Sequence, residues 1–235
     1  YEICRIIQNV YFEMKISGII YDLDDTLISR DEAFYSGFTR KFYDKFVDKN
    51  YLNFETFFQI MKDADKLTKW SPEKENLFNE LRKKIELHED NDFYVNFFWD
   101  SIVKSVKPDF EANKHLEKLN GIKFTWGVLT NGYKYQHEKM KRSGVVNLAP
   151  FYIVSGDFGC HKPCKDVFIE ASKKIDLPCE EILFVGDTAE TDIIGAQSVG
   201  MKTAWIRMGR SYPLENKPDF EIDHVKELGS ILNLF

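Results

Sequence analysis

Cysteine is scarce in this sequence of 235 residues: Cys4, Cys160, Cys164 and Cys179 are all there are. Four are too few for a disulfide framework, which predicts a reducing, cytoplasmic setting. Cys160, His161 and Cys164 crowd together, but no second CxxC or HxxxH completes a zinc site. No apolar run reaches the roughly 18–20 residues that span a membrane. The first 13 residues carry charges within their apolar stretch, so they make a poor signal peptide, and Met14 is the expected natural start. There is no internal repeat and no low-complexity tract. Basic charge is also short: 32 Lys and Arg against 38 Asp and Glu give a net charge of −6, which argues against a partner made of nucleic acid polymer. An acidic protein that handles phosphate needs local positive charge and a metal ion.

The composition that remains, 43% hydrophobic and 30% charged, is that of a soluble globular protein. At this length one large domain, or one domain with an insertion, is expected.

Residues 16–27 organise the chain. Ile16, Ile19, Ile20 and Tyr21 read as a short buried strand, since β-branched and aromatic residues suit a covered, pleated surface. The strand runs into Asp22, Asp24 and Asp25, then Thr26. If the extended form continues, Asp22 and Asp24 point the same way. Two carboxylates ~4 Å apart at an effective dielectric of about 20 repel by roughly 4 kcal/mol. Such a pair calls for a cation, a shared proton or full solvent. A divalent metal and a working acid/base pair are the expected answer, against the plainer reading of a solvated acidic turn.

Beyond Thr26 the pattern turns helical. Phe34, Phe38, Phe42 and Phe46 recur at near-helical spacing, residues 54–68 form a second helix, Ser71-Pro72 opens a third, and 92–106 is a fourth. Strand and helix then alternate: helix 109–120 ending at Gly121, strand 123–129, helix 135–143 closed by Gly144, strand 151–154, helix from Pro163 to 175, strand 182–185, helix 192–199 and strand 202–207. Alternation of this kind predicts an α/β fold, a Rossmann-like parallel sheet flanked by helices, with residues 30–107 inserted as an all-α helical cap domain. The predicted domains are 14–29 with 108–235, the core, and 30–107, the cap.

Open parallel sheets bind ligands beyond the carboxyl ends of their strands. Those ends read Asp22-Leu-Asp24-Asp25-Thr26, Thr130-Asn131-Gly132, Ser155-Gly156-Asp157 with Lys162-Pro163 beyond it, and Gly186-Asp187-Thr188 with Asp192 five residues past Asp187. Asp22 and Asp187 are placed to share Mg²⁺, which favours oxygen ligands. Thr130 offers a hydroxyl, and the amides of Asn131 and Gly132 can face an anion. Lys162 is a point charge for a phosphoryl oxygen or for the attacking carboxylate. Asp22 can then attack phosphorus, and Asp24 can protonate the leaving oxygen and later deprotonate water.

In order and spacing, Asp22-Leu-Asp24-Asp25-Thr26-Leu27, Leu129-Thr130-Asn131-Gly132, Lys162-Pro163 and Gly186-Asp187 through Asp192-Ile-Ile-Gly195-Ala196 resemble the four motifs of the haloacid dehalogenase-like superfamily. The helical block resembles the cap inserted after the first motif in many of its enzymes. The resemblance implies Asp22 as nucleophile, Asp24 as general acid/base, Mg²⁺ held by Asp22, the Asp24 backbone carbonyl and Asp187, phosphate bound by Thr130, Asn131 and Lys162, and Asp192 orienting metal-bound water or Lys162. Asp25 stands where many relatives have Gly, so its backbone is expected to matter. Cys160 and His161 receive no role.

Dehalogenases of this superfamily lack the second aspartate, so Asp24 favours phosphoryl chemistry. The resulting expectation is a Mg²⁺-dependent phosphatase acting on a small phosphorylated metabolite, such as a nucleoside 5′-monophosphate, as a monomer or homodimer away from membranes. A sugar-phosphate mutase and a non-catalytic binding protein remain open alternatives. Trp70, Phe93, Tyr94, Phe97, Phe98 and Trp99 either offer faces to a nucleobase or fill the core of the helical block.

Overall fold

The structure, a computed structural model, describes residues 15–235 apart from Trp70 and Pro72. Met14 and Cys4 therefore lie outside the described residues. The chain divides into two compact units, one made of the residues up to Ile28 together with Pro108–Phe235, the other of Ser29–Lys107.

The first unit begins with strand β1, Gly18–Tyr21, buried along its whole length. The second unit comes next as an all-helical insertion. Helix α1, Glu32–Thr39, has π geometry and runs on into α2, Arg40–Phe46. Helix α3, Phe54–Thr68, is capped by Asn53, whose side-chain oxygen accepts from the Thr56 amide at 2.9 Å. Helix α4 covers Glu75–Arg82, and α5 covers Asn91–Ser105 with Asp90 as its cap. The helix start expected at Ser71-Pro72 is not where α4 begins, and Pro72 itself lies outside the described residues. Phe34, Phe38, Phe42, Phe57, Phe78, Tyr94 and Phe98 make the core of this unit. Arg30 clasps the buried Asp65 carboxylate through two bonds of 2.6 and 2.8 Å, and the Tyr35 hydroxyl donates to the same group at 2.9 Å.

The chain returns to the first unit through helix α6, Phe110–Gly121, and strand β2, Thr125–Thr130. Gly121 is the last helical residue, but the left-handed backbone that turns the chain belongs to Lys123, at φ 58°. Then come α7 (Lys134–Ser143), α8 (Val145–Leu148), β3 (Tyr152–Val154), α9 (Ser155–Phe158) and α10 (Lys165–Ile175). Gly144 ends α7 at φ 82°, a conformation that suits a residue without Cβ. The helix expected from Pro163 starts instead at Lys165. Strand β4 (Ile182–Gly186), a π-helical turn (Ala189–Ile193), α11 (Ile194–Gln197), β5 (Lys202–Ile206), β6 (Phe220–Ile222) and α12 (Leu228–Ile231) complete the chain.

The six strands form one parallel sheet in the order β3-β2-β1-β4-β5-β6. The edge strand β6, three residues long, has no counterpart among the strands expected from sequence. Ile20, Leu129 and Phe184 join Phe168 and Ile175 of α10 in one apolar cluster. Register sets where the strands end relative to one another. Tyr21 pairs with Val128 on one side and Val185 on the other, so β1, β2 and β4 end nearly level. Among the described residues no helix is long and apolar enough to cross a membrane, and Cys160, Cys164 and Cys179 are free thiols.

Candidate active site

The level strand ends bring Asp22, Thr130 and Asp187 to one rim. Asp22 comes directly after β1, and its amide donates to the Val185 carbonyl at 2.8 Å, tying it to β4. Asp187 comes directly after β4, its backbone carbonyl held by the Trp205 indole N–H at 2.7 Å. Asp192 comes back from the π-helical turn, and its Oδ2 accepts from the Thr188 amide at 3.0 Å. Side-chain oxygens of Asp22, Asp187 and Asp192, all buried, lie within 4.8 Å of one another.

Lys162 stands between two of these acids. Its Nζ is 2.6 Å from Asp22 Oδ1 and 2.7 Å from Asp192 Oδ1, with its side chain 2% exposed. Burial alone would push the ammonium down, but Asp192 and Asp22 outweigh it and hold Lys162 protonated. Asp22 moves upward from the usual carboxylate range, chiefly through burial, against the pull of Lys162 and helped by the charges of Asp192 and Asp187. One ammonium thus pairs with two of the three buried carboxylates, and Arg210 reaches the third, Asp187 Oδ2, at 3.2 Å from a half-exposed position. A compact set of hard oxygen donors carrying excess negative charge fits a divalent cation such as Mg²⁺.

Asp24 has different partners from Asp22. The strand stops at Tyr21, and Leu23 accepts the amides of Leu27 and Ile28 in a tight turn. The strand's extended course therefore ends before Asp24. Asp24 instead meets Lys139 Nζ, 2.8 Å from Oδ1 and 2.7 Å from Oδ2, and its Oδ2 also accepts from Gln136 Nε2 at 2.9 Å. Each of the two acids thus has its own lysine. Asp25 takes φ 57°, the left-handed conformation for which Gly is better suited.

Thr130 is 1% exposed at the end of β2, and its Oγ1 accepts from Gln136 Nε2 at 2.6 Å. Asn131 spends its side chain on Lys162: Nδ2 donates to the Lys162 carbonyl at 3.0 Å and Oδ1 accepts the Lys162 amide at 2.8 Å. The Gly132 amide, one of the two expected to face an anion, donates to Ser155 Oγ at 3.2 Å. His161, given no role from sequence, bonds Ser155 Oγ through Nδ1 and the Tyr133 hydroxyl through Nε2.

Three further groups stand at the site without having been expected from sequence: Gln136, Lys139 and Arg210. The first two had a signal, a polar pair three apart on the helix after Thr130-Asn131-Gly132. Arg210 had none, because only the fold brings it back to Asp187. The aromatic residues of α5 divide. Tyr94 and Phe98 are buried in the helical core, Phe97 and Trp99 pack against it, Phe93 is 40% exposed, and Trp70 lies outside the described residues.

This geometry has known counterparts. The family model for haloacid dehalogenase-like hydrolases matches residues 19–206. The chain belongs to that family, with the helical insertion after β1. The glyceraldehyde 3-phosphate phosphatase of Methanocaldococcus jannaschii is 28% identical over 223 residues, covering 92% of this chain and 97% of the relative. The pyrimidine 5′-nucleotidase YjjG of Escherichia coli is 25% identical over 234 residues, covering 93% and 99%. Among solved structures, the magnesium-bound HAD-hydrolase YfnB of Bacillus subtilis superposes with a TM-score of 0.75 at 20% identity, covering 93% of this chain and 99% of that one.

Proposed function

We propose that this chain is a Mg²⁺-dependent phosphatase that hydrolyses a small phosphate monoester through an aspartyl-phosphate on Asp22. The observation that carries the reading is the position of Lys162 Nζ, 2.6 Å from Asp22 Oδ1 at the buried end of β1. A carboxylate fixed by an ammonium keeps one oxygen engaged and presents the other as nucleophile. Asp22 forms the new bond to phosphorus as the ester oxygen departs, and Asp24, having taken up a proton from solvent with substrate bound, passes that proton to the departing oxygen. Asp24 then takes a proton from the water that opens the acyl phosphate, returning Asp22 and releasing inorganic phosphate.

Thr130 donates its hydroxyl, and Asn131 its backbone amide, to phosphoryl oxygens, while Lys162 balances their charge. Asp192 holds Lys162 in place. Mg²⁺, when bound, would be held by Asp22, the Asp24 backbone carbonyl and Asp187, and would supply charge neutralisation to the phosphoryl group.

The helical unit, residues 30–107, is proposed as the cap that selects substrate. With Tyr94 and Phe98 committed to its core, nucleobase stacking has less to draw on than α5 suggested in sequence. The substrate class is therefore a small phosphate ester: a nucleoside 5′-monophosphate, as YjjG supports, or a phosphorylated sugar-like metabolite, as the M. jannaschii relative supports.

Release of inorganic phosphate from 4-nitrophenyl phosphate with Mg²⁺ tests the chemistry, and a panel of metabolite phosphates tests the substrate. Asp22→Asn is expected to lower turnover by about 10³-fold or more. Equal turnover by parent and variant would remove the nucleophile assignment, and phosphate migration on a hexose phosphate without net release would replace the phosphatase by a mutase.

A further inference from the structure

Two polar side chains of α7 are buried beside the site: Gln136 is 3% exposed and Lys139 4%. They lie three residues apart and so share one face of the helix. A buried lysine is costly unless paired, and Lys139 pairs with both oxygens of Asp24 at 2.8 and 2.7 Å. Gln136 Nε2 donates twice, to Asp24 Oδ2 at 2.9 Å and to Thr130 Oγ1 at 2.6 Å.

The amide orientation is dictated by the chemistry of its neighbours. A carboxylate only accepts, so the group facing Asp24 must be the NH₂. The same nitrogen therefore also donates to Thr130, whose oxygen must accept. The Thr130 hydroxyl proton is then directed away from Gln136 and is available to another acceptor.

We propose that Gln136 and Lys139 are positioning residues that join phosphate binding to acid/base work: Lys139 fixes the Asp24 carboxylate, and Gln136 sets the Thr130 hydroxyl as a donor to the phosphoryl group while bridging it to Asp24. The proposal rests on the acid/base role assigned to Asp24 above. Removing the Lys139 ammonium frees the Asp24 carboxylate to turn away from the leaving oxygen. That loss matters most where the leaving oxygen most needs a proton.

The test compares kcat/KM for an alkyl phosphate, whose leaving alkoxide must be protonated, with kcat/KM for 4-nitrophenyl phosphate, whose leaving group departs as an anion. Both report the same step, phosphoryl transfer to Asp22. Lys139→Met is expected to lower the alkyl value by about 10²-fold and the aryl value by less than about threefold. Lys139→Arg, which keeps a donor cation, recovers most of the loss. A misfolded fraction would lower both values equally, so the ratio separates positioning from simple damage.

Asp24→Asn is the reference. If it shifts the alkyl-to-aryl ratio and Lys139→Met does not, the positioning role fails alone. If Asp24→Asn lowers both substrates equally, the acid/base reading fails and this inference with it. For Gln136, competitive inhibition by inorganic phosphate is the readout. Gln136→Leu is expected to weaken it by about tenfold, and unchanged inhibition would overturn the Thr130 part.

Discussion

Asp22 and Asp24 stand two residues apart and answer to different lysines. Lys162 Nζ lies 2.6 Å from Asp22 Oδ1, and Lys139 Nζ lies 2.7 Å from Asp24 Oδ2. The separation has a local cause, since β1 ends at Tyr21 and the chain turns immediately through Leu23–Ile28. Both lysines come from segments beyond other strands, so the pairing exists only in the folded sheet. It lets two acids of the same kind occupy different surroundings, one beside Asp187 and Asp192, the other beside Gln136 and Thr130. Different surroundings are what a nucleophile and a proton carrier require.

Mg²⁺ is expected to stabilise the fold as well as support turnover. A ligand at about 100 times its Kd adds roughly 2.7 kcal/mol, and for a chain of this size that raises Tm by about 5–10 °C. Asp187→Asn removes one of the proposed carboxylate ligands and should abolish most of the rise. Thermal melts of both proteins in EDTA and in excess Mg²⁺ make the measurement. An equal rise in the variant would show that the ion binds elsewhere.

His115 makes stability depend on pH. It is buried, its Nε2 bonds the Tyr21 hydroxyl at 2.8 Å, and its Nδ1 has no hydrogen-bond partner among the described residues. Burial, aided by the charges of His224 and Lys118, pushes its pKa down to about 4 from an ordinary 6.5. The folded state therefore binds fewer protons than the unfolded one between those values, and stability falls as pH drops through that window. The contribution is fully present above 6.5 and amounts to at most about 3–4 kcal/mol. His115→Gln should flatten the decline of Tm between pH 7 and pH 5, and an unchanged slope would assign the decline to other groups.

Much of this was legible in the sequence, for physical reasons that differ from residue to residue. The β-branched run before Asp22 read as a buried strand, and the helix–strand alternation after Pro108 pointed to a parallel sheet. Phe57, Met61 and Ala64 marked α3 because a 3.6-residue period repeats along it. The strand β6 was not legible, since three residues at a sheet edge carry no period and little burial. The side-chain use of Asn131 was not legible either. Its amide serves the Lys162 backbone, 31 residues away in the chain, and no local pattern announces such a contact. The different partners of Asp22 and Asp24 depend on where a strand stops, which sequence patterns locate least well.

The aromatic residues of α5 yield a contrast. Phe98 is 3% exposed, with its ring 4.9 Å from that of Phe38 and 6.1 Å from that of Phe34, while Phe93 is 40% exposed. Phe98→Ala should cost about 3–5 kcal/mol, the usual range for a fully packed phenylalanine. Phe93→Ala should cost under about 1 kcal/mol. Urea melts of the two variants give the comparison. Comparable losses would mean that Phe93 is packed more tightly than its exposure indicates.

Gly186 tests how closely the site is built. A Cβ at this position would sit 2.4 Å from Asp192 Oδ2 and 2.6 Å from Asp192 Cβ. Asp192 is not a flexible end that can step aside at little cost: it ion-pairs with Lys162 at 2.7 Å and accepts the Thr188 amide at 3.0 Å. Gly186→Ala must therefore move Asp192, and Lys162 with it, away from Asp22. The overpacking should cost about 1–3 kcal/mol. The displaced lysine should lower kcat/KM by about tenfold or more, because small misplacements of charged groups are expensive in catalysis. Gly121→Ala is the matched control, since a Cβ there meets nothing within 4 Å, and removing backbone freedom from the unfolded chain should leave it as stable as the parent or slightly more so. If the two variants behave alike in activity and in Tm, then Asp192 has slack that the packing around Gly186 does not show, and its hold on Lys162 is looser than the 2.7 Å pairing indicates.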